Sequence, residues 1–232
     1  MKKLIDFFKD RPVQNILDVG TGNGNFLVVL KETFQNVDII GIDPNIESLN
    51  ETSELFPDVQ FKKMGAEKIE FPDDSFDVVS ISMALHHLSD IDIALKEMQR
   101  VTKPGGWIIV NELFSDNLNP AQEVHKLYHH LGSQIDRILG IGHNETFKKN
   151  EIIKIVEDSG IKIQIQFEHK KEANLISANE IEERVEKIKS KIESIKEYPE
   201  YEILKPQIKE FRTSAKKFGF QSATRVVIVG II

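Results

Sequence analysis

The first half of the chain alternates short apolar runs with stretches of helical periodicity. Apolar runs rich in β-branched residues predict strands at 15–19, 37–42, 59–63, 76–82 and 107–111. Apolar positions recurring every three to four residues predict helices between them, at 26–34, 46–55 and 90–102. This alternation is typical of a parallel sheet built from βαβ units.

The second half continues the pattern as far as a sixth and a seventh strand. Asn119 and Pro120 predict a helix start, because asparagine is a good N-cap and proline suits the first turn. A helix at 151–158 precedes predicted strands at 161–167 and 225–232. We therefore expect an α/β fold: a doubly wound, Rossmann-like seven-stranded sheet, mostly parallel with the last strand antiparallel, plus helical cap insertions.

A long helical segment separates the last two predicted strands. Ser177 and Glu180 fit a capping box, and a second helix is predicted at 203–217. Behind the capping box a narrow apolar seam recurs at spacings of four and three, at Ile181, Val185, Ile188, Ile192 and Ile195. We expect this seam to pack on the rest of the same chain as part of a cap; a homodimer seam is the alternative.

The predicted domains follow from these elements. A core is expected over residues 1–171 and 221–232, with a cap segment at 116–145, and a helical insert at 172–220. A length of 232 residues with 40% hydrophobic residues suits one α/β domain with an appended subdomain.

Composition narrows the classes of function. The absence of cysteine excludes a disulfide scaffold and a thiol nucleophile. A net charge of −7 without a basic stripe argues against a nucleic-acid partner. No apolar stretch approaches the roughly 20 residues of a membrane helix, and the charged start is a poor signal peptide. We expect a cytoplasmic enzyme with no membrane partner, monomeric or homodimeric.

A glycine-rich turn follows the first strand, in the segment Asp18-Val-Gly20-Thr-Gly22-Asn-Gly24. Glycines permit tight backbone angles and close approach of a ligand to the main chain. A dinucleotide fingerprint would need glycine where Asn25 stands. Asp43 ends the second strand, where a carboxylate can accept hydrogen bonds from ribose hydroxyls. The alternatives are a turn without a ligand and an Asp43 that serves as a helix N-cap.

Further motifs follow in order, and together they carry a resemblance. They are Gly65-Ala-Glu67, Phe71-Pro-Asp-Asp-Ser-Phe-Asp77, Met83-Ala-Leu-His-His-Leu88 and Lys103-Pro-Gly-Gly106. With the glycine loop they make residues 15–112 resemble the ubiquinone/menaquinone-type branch of the class I S-adenosylmethionine-dependent methyltransferases. The resemblance weakens toward Gly160 and is absent from the helical insert.

The resemblance implies S-adenosyl-L-methionine as cofactor and assigns residues to its parts. The methionine moiety would be lined by Gly20, Gly22 and Gly24, with Asp18 near its ammonium group and Ser82 and Met83 in contact with it. Asp43, followed by Pro44, would hold the ribose, and the Ala66 backbone N–H would meet adenine beside Glu67. Relatives often carry aspartate where Gly65 stands, so adenine recognition here would rest on the backbone or on Glu67.

The implied reaction is methyl transfer to an oxygen, nitrogen or sulfur atom of a small-molecule acceptor. Amine and thiolate acceptors need no catalytic residue, whereas a hydroxyl benefits from a general base. His86 and Glu112 are the candidates for base and orienting partner, because both fall at the ligand-binding edge of the predicted sheet. The alternative is that His86 and His87 only shape the wall of the site.

Four further histidines, at positions 125, 129, 130 and 143, raise the question of a metal. Without cysteine or an H-E-x-x-H pattern, a polar helix facing the substrate is favoured and no metal is expected. The competing classes are an NAD(P)-dependent oxidoreductase and a catalytically inactive nucleotide-binding module of the same fold. The identity of the acceptor depends on segments 119–143 and 172–220, which carry no recognisable motif.

Overall fold

A computed structural model describes residues 1–170 and 176–232. The strands are β1 (Asn15–Val19), β2 (Asp38–Asp43), β3 (Gln60–Lys63), β4 (Phe76–Ser82), β5 (Thr102–Leu113), β6 (Lys162–His169) and β7 (Arg225–Ile231). The helices are α1 (Lys2–Phe8), α2 (Asn25–Thr33), α3 (Ile46–Leu55), α4 (Ile91–Val101), α5 (Pro120–Ile138), α6 (Lys149–Asp158), α7 (Ala178–Glu193) and α8 (Tyr201–Phe218).

The described strands form one seven-stranded sheet in the order β3-β2-β1-β4-β5-β7-β6. The pairs β1–β2, β1–β4, β2–β3 and β4–β5 are parallel, and β7 is antiparallel to β6. The predicted fold class is therefore confirmed. Because β1, β2, β4 and β5 run the same way, their carboxyl ends lie along one edge of the sheet.

Two elements differ from the predicted ones. Strand β5 begins at Thr102 rather than at Trp107, since Thr102 pairs with Phe76 and Gly105 and Gly106 exchange backbone hydrogen bonds with Ile232. Apolar periodicity cannot reveal a strand that is held by backbone bonds through a glycine pair. Helix α1 was not predicted; it buries Leu4 and Phe8, four residues apart on one helix face.

The chain divides into two compact units, and the first contains the sheet. It comprises residues 1–112, 150–169 and 225–232. Its core packs side chains of α1 and α2 against the strands, including Leu4, Phe8, Leu27, Ile16, Val78 and Val227. Phe8 meets Trp107 edge to face at 5.8 Å, so α1 closes one side of this core.

The second unit is helical and comprises residues 113–149 and 170–224. The apolar seam, which runs along α7 and ends in the turn after it, is buried inside this unit, from Ile181 at 5% exposed to Ile195 at 0%. Partners in the same cluster include Leu131 and Ile135 of α5 and Phe211 of α8. The seam is thus covered by helices of this chain, as expected for packing within one chain.

The capping signals that begin two of these helices are confirmed. Asn119 with Gln122 begins α5, and Ser177 with Glu180 begins α7, each by reciprocal side-chain and backbone bonds. The predicted domain boundaries at 171 and 172 lie outside the described residues. None of the described helices combines the length and apolar character that crossing a membrane requires.

Candidate active site

The glycine loop between β1 and α2 adopts the left-handed backbone that its sequence predicts. Gly20, Gly22 and Gly24 have φ of +68°, +51° and +75°. The N–H groups of Gly20 and Thr21 both donate to the carbonyl of Ile42, at 2.8 and 3.0 Å, which ties the loop to the end of β2. A Cβ at Gly20 would stand only 2.6 Å from the Cβ of Ala84, so the close approach of this side chain also requires glycine here.

Asp43 joins the loop to the end of β2. Its Oδ2 accepts from the Gly22 N–H at 2.9 Å, and its Oδ1 accepts from the Asn45 N–H at 2.8 Å. The N-cap of α3 is Asn45, whose side chain accepts from the N–H groups of Glu47 and Ser48, so the N-cap interpretation of Asp43 is wrong. Each carboxylate oxygen has a second lone pair that a hydroxyl donor can use.

Asp18 lies beneath the loop and is 1% exposed. The hydroxyls of Thr21 and Ser80 each donate to its carboxylate at 2.7 Å. Burial raises the pKa of Asp18 to about 6, although these two hydrogen bonds lower it. Both carboxylate oxygens therefore accept hydrogen bonds from the protein, and Asp18 connects Thr21 of the loop to Ser80 of β4.

Thr21 and Ser80 were not predicted as site residues. Ser80 stands directly opposite Asp18 in the β1–β4 register. A serine inside the apolar run Val78–Ile81 was the available signal, because a buried hydroxyl needs a polar partner.

The segment after β3 returns to the same sheet edge. Met64 donates its N–H to the carbonyl of Asp43 at 3.1 Å, and Ala66 is buried. Glu67 accepts from the Ser89 N–H through Oε1 at 3.1 Å, and its Oε2 lies 3.7 Å from where a Cβ of Gly65 would stand. The Glu67 carboxylate therefore lies close to position 65, where relatives often carry an aspartate and this chain has glycine. Pro44 is exposed.

Asn111 forms hydrogen bonds with Ser82, the last residue of β4, and with Met83, which follows it. The Asn111 Nδ2 donates to the Ser82 hydroxyl at 2.8 Å, and the Met83 N–H donates to the Asn111 carbonyl at 2.8 Å. Met83 has a φ of +57°, a strained conformation for a residue with a side chain. Within the part of the chain that the structure describes, the buried Oδ1 of Asn111 has no hydrogen-bond partner. Asn111 was not predicted; its signal was a polar residue at the end of an apolar strand.

His86 and Glu112 are brought together as predicted. The His86 Nδ1 lies 2.9 Å from Glu112 Oε1, and the Leu85 N–H donates to Oε2 at 3.0 Å. The two side chains are 3% and 1% exposed. A carboxylate accepts, so Nδ1 carries a hydrogen, and in the neutral imidazole Nε2 then carries the lone pair.

Arg225, at the start of β7, balances the buried carboxylate. Burial lowers the pKa of Arg225, and the negative charge of Glu112 opposes that effect. A buried carboxylate near a cation is far less costly than an isolated one. Arg225 was predicted only as the first residue of a strand, because the sequence does not show which strand lies beside β5.

Comparison with known proteins shows that the region containing most of these residues is similar to methyltransferases. Residues 17–110 match the model of the methyltransferase domain family. A ubiquinone/menaquinone biosynthesis C-methyltransferase of Vibrio campbellii is 35% identical over 131 residues, which cover 53% of this chain and 51% of that protein. The chain spans about half the length of the curated relatives it matches. The resemblance predicted from the motifs is confirmed over this region.

Solved structures extend the likeness in fold to nearly the whole chain. An S-adenosylmethionine-dependent methyltransferase of Methanosarcina mazei has a TM-score of 0.59 at 17% identity, covering 97% of this chain and 96% of that one. The [4+2]-cyclase SpnF has a TM-score of 0.60 at 16% identity, covering 99% of this chain and 79% of that one. Identities this low show the fold alone, and the fold hosts more than one chemistry.

Proposed function

We propose that this protein is an S-adenosylmethionine-dependent methyltransferase that acts on a small molecule. The observation that carries the proposal is the left-handed glycine loop bound through Gly22 to the carboxylate of Asp43, within the residues 17–110 that match the methyltransferase domain. The hydrogen bond holds the glycine loop, which a ligand can approach closely, next to Asp43, whose carboxylate can accept from ribose hydroxyls. Both lie at the carboxyl edge of the sheet.

The residues present fit the cofactor that the proposal requires. Gly22 is open, because a Cβ there would meet no atom closer than 3.9 Å, so the methionine moiety can approach the loop. The unpaired acceptor of Asn111, next to Ser82 and Met83, suits a donor such as an ammonium group. Asp43 would accept from the ribose hydroxyls. The Ala66 N–H and the Glu67 carboxylate would face adenine.

When bound, the cofactor supplies an electrophilic methyl group on a sulfonium centre. The protein's part is to align the acceptor and exclude water. For a hydroxyl acceptor, His86 would take the proton at Nε2, while Glu112 holds Nδ1–H and stabilises the imidazolium that forms. Glu112 and Arg225 act through His86 and are positioning residues.

The experiment is isothermal titration of the full chain with S-adenosylmethionine and with NADH in parallel. We expect binding of S-adenosylmethionine with one site per chain and no binding of NADH. Binding of NADH alone would overturn the proposal in favour of an oxidoreductase.

A methylation screen then tests transfer. The chain is incubated with cofactor carrying a labelled methyl group and a metabolite extract, supplemented with a demethylated quinol because the Vibrio relative is named a C-methyltransferase. Label in a small molecule supports the proposal. Tight cofactor binding without transfer to any fraction would instead favour a binding module or another chemistry of the same fold.

A further inference from the structure

A cluster of polar side chains lies inside the second unit, which holds residues 113–149 and 170–224. His129 and Asp136 belong to α5, and His143 lies in the loop that follows it. The Nε2 atoms of His129 and His143 are 3.5 Å apart. The Nδ1 of His143 lies 2.7 Å from Asp136 Oδ2. Two imidazole nitrogens therefore converge on one point, and the second ring is held by a carboxylate.

The loop that carries His143 is fixed to α5. Gly140 turns the chain with a φ of +76°, a conformation that favours glycine. Arg137 then donates to the carbonyl of His143 at 3.0 Å and to the Glu145 carboxylate at 3.0 Å. Because the helix itself holds the loop on both sides of the ring, the position of His143 does not depend on a ligand.

Donor and acceptor roles around Asp136 fix the tautomer of His143. Lys191 of α7 donates to the same oxygen, Oδ2, at 2.6 Å. A lysine ammonium has only donors, so that oxygen is an acceptor and the Nδ1 of His143 must carry a hydrogen. In the neutral ring the lone pair of His143 is then on Nε2, the atom that faces His129. A carboxylate on the far nitrogen is the arrangement typical of histidines that bind metal ions.

The separation of the two nitrogens suits two ligands of one metal ion. Hydrogen bonds from a nitrogen donor are usually shorter than this, at about 2.7–3.2 Å for N–H···O. Two nitrogens bound at about 2.0–2.1 Å with a tetrahedral angle stand about 3.4 Å apart. The observed 3.5 Å matches the second case, and the rings meet edge to face at 89° with centroids 5.0 Å apart.

We propose that the Nε2 atoms of His129 and His143 bind a divalent transition-metal ion, with Asp136 orienting His143 from behind. Imidazole ligands suit zinc, copper and nickel better than magnesium or calcium. These two histidines fill only part of a metal ion's coordination sphere, so further positions can take donors such as water or the hydroxyl or carbonyl oxygen of a bound small molecule. The sequence favoured no metal because it holds neither cysteine nor an H-E-x-x-H pattern.

The test is metal titration of the chelator-treated full chain without cofactor, so its outcome is independent of methyl transfer. Co²⁺ binding is followed by visible absorption, and Zn²⁺ binding by competition with Co²⁺. We expect one ion per chain, a loss of at least about 100-fold in affinity for His129→Asn or His143→Asn, and a loss of about 10- to 100-fold for Asp136→Asn. The matched control His169→Asn, which removes a histidine of β6 in the first unit, should bind as tightly as the parent.

X-ray absorption of the zinc-loaded parent protein gives a readout that does not depend on how the variants fold. Two imidazole nitrogens at about 2.0 Å in the zinc shell would support the proposal. The proposal is overturned if the parent binds neither ion, if the double variant His129→Asn/His143→Asn binds like the parent, or if the zinc shell contains no imidazole.

Discussion

The Nδ1 of His86 lies 2.9 Å from Oε1 of Glu112, with both side chains almost fully buried. The second oxygen of the same carboxylate accepts from the Leu85 N–H, so the carboxylate is fixed by backbone and imidazole together. Of the two neutral tautomers of His86, this contact selects the one with its lone pair on Nε2. A general base needs such a tautomer, whereas a wall residue does not.

The first prediction concerns His86. If the acceptor is a hydroxyl, His86→Ala should lower turnover by about 10²- to 10⁴-fold while cofactor affinity stays nearly unchanged. Initial rates with the acceptor found in the methylation screen, together with cofactor titration, measure the two effects. His87→Ala is the matched control, because His87 is the exposed neighbour in the same short turn. Parent-like turnover in His86→Ala would reduce His86 to a wall residue.

Much of this site could be predicted, because its residues follow strands that short apolar runs reveal. The ends of β1, β2, β4 and β5 lie on one edge in any parallel sheet, which is why Asp43 and Glu112 were selected, whereas Asp18 was assigned only by the resemblance. The His86–Glu112 contact itself follows from the adjacency of β4 and β5.

The residues that were missed depend on partners far away along the chain. Ser80 matters because β4 lies beside β1, and Arg225 matters because β7 inserts next to β5. Single-sequence periodicity shows which residues face a core, and does not show the order of strands. The capping boxes of α5 and α7 were predictable for the opposite reason, since each lies within four consecutive residues.

The second prediction concerns Asp43. Asp43→Ala should weaken S-adenosylmethionine binding by about 1–3 kcal/mol, or roughly 5- to 160-fold in Kd, because the ribose loses its acceptor. Titration calorimetry measures this. Asp38→Ala, at the exposed opposite end of the same strand, should bind as the parent does. Unchanged affinity in Asp43→Ala would mean that the ribose is held elsewhere.

Loss of the Gly22 and Asn45 hydrogen bonds is a competing explanation for that result. Asp43→Asn retains a carbonyl acceptor for one of them. If Asp43→Asn binds S-adenosylmethionine with an affinity between those of the parent and Asp43→Ala, and unfolds thermally like the parent, the lost affinity reflects a lost contact with the ligand.

The third prediction is a pH dependence that arises from Asp18. Its pKa in the folded state is about 6, above the ordinary value of 3.8, so between these values the folded state binds more protons than the unfolded state. The free energy of unfolding therefore falls as pH rises through this window, and above it the penalty stays constant at about 3 kcal/mol. Asp18→Asn removes the buried charge and should be more stable than the parent near neutral pH.

The measurement is urea unfolding of both proteins without cofactor, from about pH 8 down to about pH 5. The advantage of Asp18→Asn should shrink as the pH falls, because the parent then becomes protonated at Asp18. Asp38→Asn, which removes an exposed carboxylate, should show no such trend. A pH-independent difference between parent and Asp18→Asn would contradict the raised pKa.

The fourth prediction separates two reasons why position 20 requires glycine: the left-handed backbone and the close contact with Ala84. Gly20 and Gly105 share nearly the same backbone, with φ of +68° and +74°, but a Cβ at Gly105 meets nothing within 4 Å. Gly105→Ala should cost about 1–2 kcal/mol of backbone strain. Gly20→Ala should cost a further 1–3 kcal/mol or so, because its Cβ would meet Ala84, and should also impair cofactor binding. Chemical unfolding and calorimetry of both variants test this; equal losses of stability would exclude the steric contact.

The fifth prediction concerns the apolar seam of α7. Ile188 is 2% exposed within the cluster formed by α5, α7 and α8, so Ile188→Ser leaves a cavity and buries a hydroxyl. We expect a loss of at least about 3 kcal/mol in the free energy of unfolding. Ile203→Ser on α8 is the matched control, since that side chain is 68% exposed and its loss should stay within about 0.5 kcal/mol.

Light scattering of the same variants tests the dimer alternative for the seam. A seam covered by the chain's own helices predicts that the milder variant Ile188→Val loses about 0.5–1.5 kcal/mol and keeps the molecular mass of the parent. If Ile188→Val instead converts a dimeric parent into monomers, the seam contacts a second chain. Equal stability losses for Ile188→Ser and Ile203→Ser would contradict the packing of α7 directly, because only one of the two side chains is buried.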